Sequence, residues 1–281
     1  MTGYEIDKKE EHIMKRVIAI ILALALTFSV SACGKADDSK KVKIGASTTP
    51  HAEILRQVVD DMEKLGYELE IVEYQDYILP NTGVEDGELD ANYFQHQPYL
   101  DDFNAENGTH IVSVAKLHYE PFGIYTGKKS SVDALEAGDQ IGIPNDGTNE
   151  GRALHLLEQE GVIVLKEGTG FTATLADVAS YNVDVTIVEM EAAQIPRALA
   201  DLALGVINGN YAISAGLNAA KDAIAVESAE GLGAQTYGNI LCVKEGNENA
   251  DFTKALIQCL ETDEIRDFMS KTYEGAVVPL F

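Results

Sequence analysis

Two short segments hold most of the residues suited to binding chemistry. Ile143 to Arg152 reads IPNDGTNEGR and passes from a strand through a turn into a helix. A helix start leaves backbone N–H groups unpaired and carries partial positive charge, so such a turn can seat a small anion. Arg152 adds a planar, two-pronged donor that matches a carboxylate. Plain capping by Asp146 or Thr148, with Arg152 left to solvent, accounts for the same letters. Asp90 to Tyr99 (DANYFQHQPY) gathers three rings and His96 in a chain that is only 7% aromatic. Phe94 and His96 share one face of an extended stretch, and Tyr99 follows a turn later. Rings of this kind make favourable contacts with a thioether sulfur, although core packing also explains an isolated aromatic cluster.

These segments need a scaffold, and the hydrophobic pattern predicts an α/β one. Strands are expected at Val42 to Ala46, Tyr67 to Tyr74, Ile111 to Leu117, Gly123 to Thr126, Gln140 to Ile143 and Val162 to Leu165. Others are expected at Val183 to Val188, Leu202 to Val206, Ala223 to Val226 and Asn239 to Val243. Helices fit between most of them, at His51 to Leu65, Asn149 to Glu160 and Ala192 to Ala200, with a closing pair at Ala250 to Leu260 and Asp263 to Tyr273. Such alternation predicts mostly parallel sheets covered by helices on both faces. The chain is too long for one small sheet and has no long linker, so two lobes joined by crossing strands are expected. Residues 42–118 plus 238–281 form the first lobe in this reading, and 119–237 the second. The crossings fall near Lys116 to Phe122 and between Ser228 and Gly238. Ligands of open α/β sheets bind outside the carboxyl ends of strands, which places a cleft between the lobes.

Composition narrows the partners. Of 281 residues, 46 are acidic and 21 basic, a formal charge of −25 that repels nucleic acid and anionic headgroups. At the amino end, Lys15-Arg16 precedes a charge-free, mostly apolar stretch from Val17 to Ala32, the layout of a secretory signal and too short for a comfortable membrane span. Met14 directly precedes that basic pair and reads as the true start. Val30-Ser31-Ala32-Cys33 resembles the bacterial lipobox, in which the cysteine is acylated, and Gly34 to Lys41 follows as a polar tether. The expected segments are therefore a signal at 1–32 and an acylated Cys33 with its tether at 33–41, on the extracytoplasmic side of the cell membrane. Cys242 and Cys259 fall in apolar runs and read as buried thiols, with a disulfide between them left open.

Along its whole mature length the chain resembles the methionine-binding lipoproteins of bacterial ABC importers, the NlpA lipoprotein family. The matching motifs are DYILPN at Asp76 to Asn81, DANYFQHQPYL at Asp90 to Leu100, PNDGTNEGR at Pro144 to Arg152, EMEAAQIPRAL at Glu189 to Leu199, and Val206-Ile207-Asn208. The resemblance implies a two-lobed periplasmic-binding-protein fold that closes on methionine and passes it to a membrane permease, with no cofactor and no catalysis. It implies that Tyr77, Phe94, His96 and Tyr99 line the side-chain pocket, and that Asn149, Arg152, Asn208 and Asn239 hold the polar end of the amino acid. Two positions depart from the family pattern: Gly147 stands where proline is common, and Gly209-Asn210 where threonines are usual. Both are expected to loosen backbone near the site.

Other ligands remain open in this reading: another amino acid, a short methionine-containing peptide, or a metal ion held by His96, His118 and acidic residues. No residues have local metal-ligand spacing. No nucleophile elbow, zinc-protease helix, phosphate loop or dinucleotide fingerprint occurs.

Overall fold

The computed structural model describes residues 40–227 and 236–281. The signal segment, Met14, Cys33, most of the tether and most of the expected second crossing lie outside them.

The strands are β1 (Lys40–Ser47), β2 (Tyr67–Tyr74), β3 (Ala91–His96), β4 (Ile111–Tyr119), β5 (Gly123–Thr126), β6 (Gln140–Pro144) and β7 (Ile163–Leu165). They continue as β8 (Val178–Tyr181), β9 (Thr186–Met190), β10 (Leu204–Ile207), β11 (Ala223–Val226), β12 (Asn239–Lys244) and β13 (Val278–Pro279). The helices are α1 (Glu53–Gln57), α2 (Val59–Lys64), α3 (Leu79–Asp86), α4 (Gln97–Asn107), α5 (Gly147–Gln159), α6 (Ile195–Ala198), α7 (Gly209–Ser214), α8 (Ala219–Asp222), α9 (Asp251–Leu260) and α10 (Asp263–Tyr273). One sheet has the order β13-β4-β12-β3-β1-β2, a second β11-β5-β10-β6-β9, and β7 pairs with β8.

The central strands of each main sheet are buried on both faces, which makes them apolar at successive positions rather than alternate ones. In β12, Leu241 and Val243 enter the core that contains α9 and α10, while Ile240 and Cys242 face Leu100 and Val84 on the other side. Ile124 and Tyr125 of β5 divide in the same way between the two faces of the second sheet. Cys242 and Cys259 are both free and buried, in separate cores, which settles the open disulfide against a bond. No helix among the described residues is long and apolar enough to cross a membrane.

Three sequence expectations need correction. The sheets are mixed rather than mostly parallel: β1 runs parallel to β2 and β3, and β6 to β9 and β10, but β12 is antiparallel to β3 and β4, and β5 to β10 and β11. The antiparallel strands are those next to the crossings, where chain leaving one sheet must be matched by chain returning. The strand expected at Val183 to Val188 forms at Thr186–Met190 instead, because its register against β6 starts at Gln140 opposite Thr186. The long helix expected from His51 is a turn at Thr48–Ala52 followed by α1 and α2, which part at Val58 (φ −104°, ψ 3°).

Candidate functional site

Six chain segments converge between the two sheets, and most arrive from strand ends. The loop after β2 carries Tyr77, and Asp76 ties it down by accepting from the N–H groups of Ile78 and Leu79, both at 2.8 Å. A buried amide network, Asn81 to Gln95 at 2.8 Å and Asn92 to Asn81 at 2.8 Å, fixes that loop against β3. The end of β3 presents Phe94 and His96. Pro98 opens α4 with its fixed φ and no N–H to lose, and Tyr99 follows one residue on. Helix α4 stops at Gly108, whose left-handed φ of 65° favours glycine. The turn from β6 into α5 carries Asn149 and Arg152, the turn from β10 into α7 carries Asn208, and β12 begins with Asn239.

All eight residues singled out in the sequence, Tyr77, Phe94, His96, Tyr99, Asn149, Arg152, Asn208 and Asn239, line one small cavity. Gln95, Glu120, Gly209 and Asn210 complete the lining. A wider groove adjoins it, shares Tyr77, Tyr99 and Asn210, and is more open to solvent. The smaller cavity holds all eight of these residues, so the chemistry points there. The Tyr77 hydroxyl donates to Asn210 Oδ1 at 2.6 Å and stands between the two.

One end of the cavity is aromatic. Tyr77 lies 5.8 Å from Phe94 and 5.6 Å from Tyr99 between ring centroids, and Tyr99 packs edge-on to Phe94 at 6.1 Å. His96 sits between the aromatic and polar ends. Its Nδ1 accepts from the Tyr99 N–H at 3.2 Å, capping α4, so the ring proton is on Nε2 and is donated to Asn149 Oδ1 at 3.2 Å. Burial, reinforced by the Arg152 charge, lowers the His96 pKa to about 3, so the ring is neutral. The bonds from His96 to Asn149 and from Tyr77 to Asn210 both join one sheet's elements to the other's.

Arg152 is neither exposed nor idle. It is 5% exposed, and its guanidinium lies between the rings of Phe122 at 4.6 Å and Tyr237 at 4.2 Å. Its Nε donates to Glu227 Oε2 at 2.8 Å, and Nη2 to Glu227 Oε1 and to the Glu120 carbonyl. Capping of α5 falls to Asp146, which accepts from the Asn149 N–H at 3.0 Å, as the capping reading of this turn had it, while Arg152 is buried rather than left to solvent. An expected arginine fork facing only a ligand must therefore be shared with Glu227. Burial opposes charge on Glu227, yet the Arg152 ion pair prevails and holds its pKa below the usual carboxylate value.

The sequence reading missed Glu120. This residue lies in the crossing between β4 and β5 and is 5% exposed. Its Oε1 is 2.7 Å from His118 Nε2 and 3.5 Å from His51 Nε2. These three are the residues whose donor atoms gather within 4.8 Å, the one such cluster among the described residues. His118 thus joins His51, not His96 as the metal alternative had it. As arranged, the cluster is a hydrogen-bond chain. His51 Nε2 must carry a proton, since it donates to Asn239 Oδ1 at 2.9 Å, and the Tyr93 hydroxyl binds His118 Nδ1. Metal binding would require new tautomers and loss of these bonds.

The glycine departures also differ from expectation. Neither Gly147 nor Gly209 has a positive φ, and both open helices, so neither loosens the site. A Cβ on Gly209 would lie 2.5 Å from Glu120 Cβ and 2.7 Å from Oε2. The absent side chain is what makes room for Glu120.

Residues 42–281 match the NlpA lipoprotein family. The D-methionine-binding lipoprotein MetQ of Escherichia coli is 37% identical over 269 residues, 94% of this chain and 97% of that one. Among solved structures, a lipoprotein from Ruminococcus gnavus is 51% identical, with a TM-score of 0.85 over 86% of this chain and 100% of its own. A nutrient-binding protein from Burkholderia cenocepacia, solved bound to methionine, is 39% identical, with a TM-score of 0.80 over 85% of this chain and 100% of its own. The architecture is that of the two-lobed periplasmic binding proteins, and the chain belongs to the NlpA lipoprotein family.

Proposed function

We propose that this chain is the extracytoplasmic receptor of an ABC importer, which captures methionine by closure of its lobes and delivers it to the membrane permease. The observation that carries this reading is the cavity itself: an aromatic wall suited to a thioether and, at the other end, amides and an arginine suited to an α-carboxylate. Tyr77, Phe94, His96 and Tyr99 surround the side chain, and Asn149, Arg152, Asn208 and Asn239 hold the polar groups. The methionine in the Burkholderia cenocepacia structure supports the choice of ligand. Residues 42–118 with 238–281 act as one lobe and 119–237 as the other, a division supported by the membership of the two sheets. Cys33 carries acyl chains, palmitate among them, that hold the receptor at the outer face of the cell membrane.

The test is mass spectrometry of small molecules released when purified protein is unfolded, followed by calorimetric titration of both methionine enantiomers into the refolded protein. Free methionine in the first and tight binding in the second are expected. Release of another amino acid, a methionine peptide or a metal ion overturns the assignment of ligand.

A further inference from the structure

Accounting for charge in the cavity leaves one group without a counterpart. Arg152 is balanced by Glu227, and both are largely buried. Glu120 is not balanced: among the described residues, the basic groups within 4 Å of its carboxylate are His51 and His118, both fully buried. Burial holds their pKa values at about 4 and about 3, so neither is a cation. Arg152 reaches the Glu120 backbone carbonyl, not its side chain. Burial raises the Glu120 pKa, which states the same imbalance.

A second acceptor is also without a donor. Asn208 uses Nδ2 to donate to Asn149 Oδ1 at 2.8 Å, while its own Oδ1 is buried with no hydrogen-bond partner. Native structures rarely leave such an atom unpaired, and when they do a ligand or water is the usual reason. Asn208 and Glu120 line the same cavity. They are also neighbours through Gly209, where any Cβ would overlap the Glu120 side chain.

We propose that Glu120 and Asn208 Oδ1 form the receptor for the ligand's α-ammonium group, with Glu120 as its counter-ion. The assignment rests on the amino-acid reading above and fixes the ligand class more narrowly: a free primary amine is required, and an N-acylated or peptide-linked methionine is refused. An ammonium offers three donors and one positive charge, which matches a carboxylate plus one amide oxygen. The histidines then have a positioning role. His118, itself bonded to Tyr93, donates to Glu120 Oε1, and the Asn210 backbone N–H donates to the same carboxylate, so its direction is set before ligand arrives. Gly209 leaves the space in which the carboxylate sits. The ligand's carboxylate then falls to the donors of Arg152 and Asn239, so each charge of the zwitterion has a partner at the polar end.

The experiment compares three ligands on two proteins by titration calorimetry. The ligands are methionine, N-acetylmethionine and 4-(methylthio)butanoate, and the proteins are wild type and Glu120→Gln, the latter checked for wild-type thermal unfolding. Methionine should bind wild type and lose roughly a hundredfold or more in Glu120→Gln, the scale of breaking a buried charge pair. The two ligands without an ammonium should bind wild type weakly and lose little further. If Glu120→Gln does not fold, the wild-type ligand series alone decides: N-acetylmethionine or 4-(methylthio)butanoate binding within about threefold of methionine overturns the proposal. So does Glu120→Gln that folds and binds methionine as wild type does, which leaves the methionine reading intact. Failure of methionine to bind wild type overturns both. Stoichiometric zinc bound by wild type and lost in His118→Asn would assign the cluster to a metal and overturn the ammonium role.

Discussion

Arg152→Ala should damage the fold as well as binding, and the two effects can be separated. The guanidinium makes two bonds to Glu227 and one to the Glu120 carbonyl, and it lies between two rings. Its truncation leaves the Glu227 carboxylate, 11% exposed, with the Tyr119 hydroxyl and the Phe122 N–H as donors and no cation. Breaking a buried pair from one side costs about 3 to 5 kcal/mol. The lost ring contacts add about 0.5 to 2 kcal/mol. At about 2 to 4 °C per kcal/mol for a chain of this size, unfolding should fall by at least about 6 °C. Glu227→Gln keeps the shape but strands the arginine charge, so it too should destabilise, and the double variant Arg152→Met with Glu227→Gln should cost clearly less than the sum of the singles. Urea unfolding of ligand-free protein measures this. Single losses below about 0.5 kcal/mol, or strict additivity, would refute the claim that the pair is coupled. Binding is read separately. Nε and Nη2 already serve Glu227, so in the proposed site a ligand carboxylate is expected at Nη1. Arg152→Ala should weaken methionine by roughly two to three orders of magnitude and methionine amide much less, whereas equal losses for the two would make Arg152 purely structural.

Phe94→Ala should weaken methionine by about 1 to 3 kcal/mol in calorimetric titration, and norleucine should bind wild type measurably but less tightly than methionine; unchanged methionine binding would misplace the pocket. By ¹⁵N NMR, His51, His96 and His118 should still be neutral at pH 5, since their pKa values lie at about 4, 3 and 3. These groups bind fewer protons folded than unfolded between those values and about 6.5, so their share of stability is complete above pH 6.5 and falls as pH drops; a protonated signal for any of them at pH 5 contradicts its burial. Gly151→Ala gains about 1 kcal/mol of helix propensity, but the new Cβ would lie 2.2 Å from the Phe171 carbonyl oxygen, so net destabilisation by urea unfolding is expected, and a more stable variant would contradict that close approach. Intact-mass analysis of membrane-extracted protein should find Cys33 carrying more than one acyl chain, as stable anchoring requires, and Cys33→Ser should be unacylated; an unmodified Cys33 rules the anchor out.

The candidate site was legible in the sequence to the extent that its residues sit in contiguous motifs at strand ends. Phe94, His96 and Tyr99 lie within six positions, and Asn149 and Arg152 within four, so a local reading of strand, turn and helix brings each group together. Strand positions were legible for the same reason, as short β-rich runs, but strand direction was not: β12 lies between β3 and β4 by long-range pairing that no local period encodes. Glu120 escaped although His118 stands only two positions before it, because the other histidine beside its carboxylate is distant in sequence. His51 lies 69 positions before it, and the segment between β4 and β5 has neither helical nor strand periodicity to suggest which way a carboxylate faces. The one local trace of it was misread. Gly209 in place of a threonine looks like added backbone freedom when read alone, yet its φ is ordinary and what it supplies is volume. A missing side chain carries no information about what fills its space until the facing residue is known. Restoring a side chain there tests that reasoning directly: Gly209→Ala should weaken methionine in step with the displacement of Glu120, and Gly209→Ala combined with Glu120→Gln should lose little beyond Glu120→Gln alone, because both changes remove the same carboxylate from the ligand.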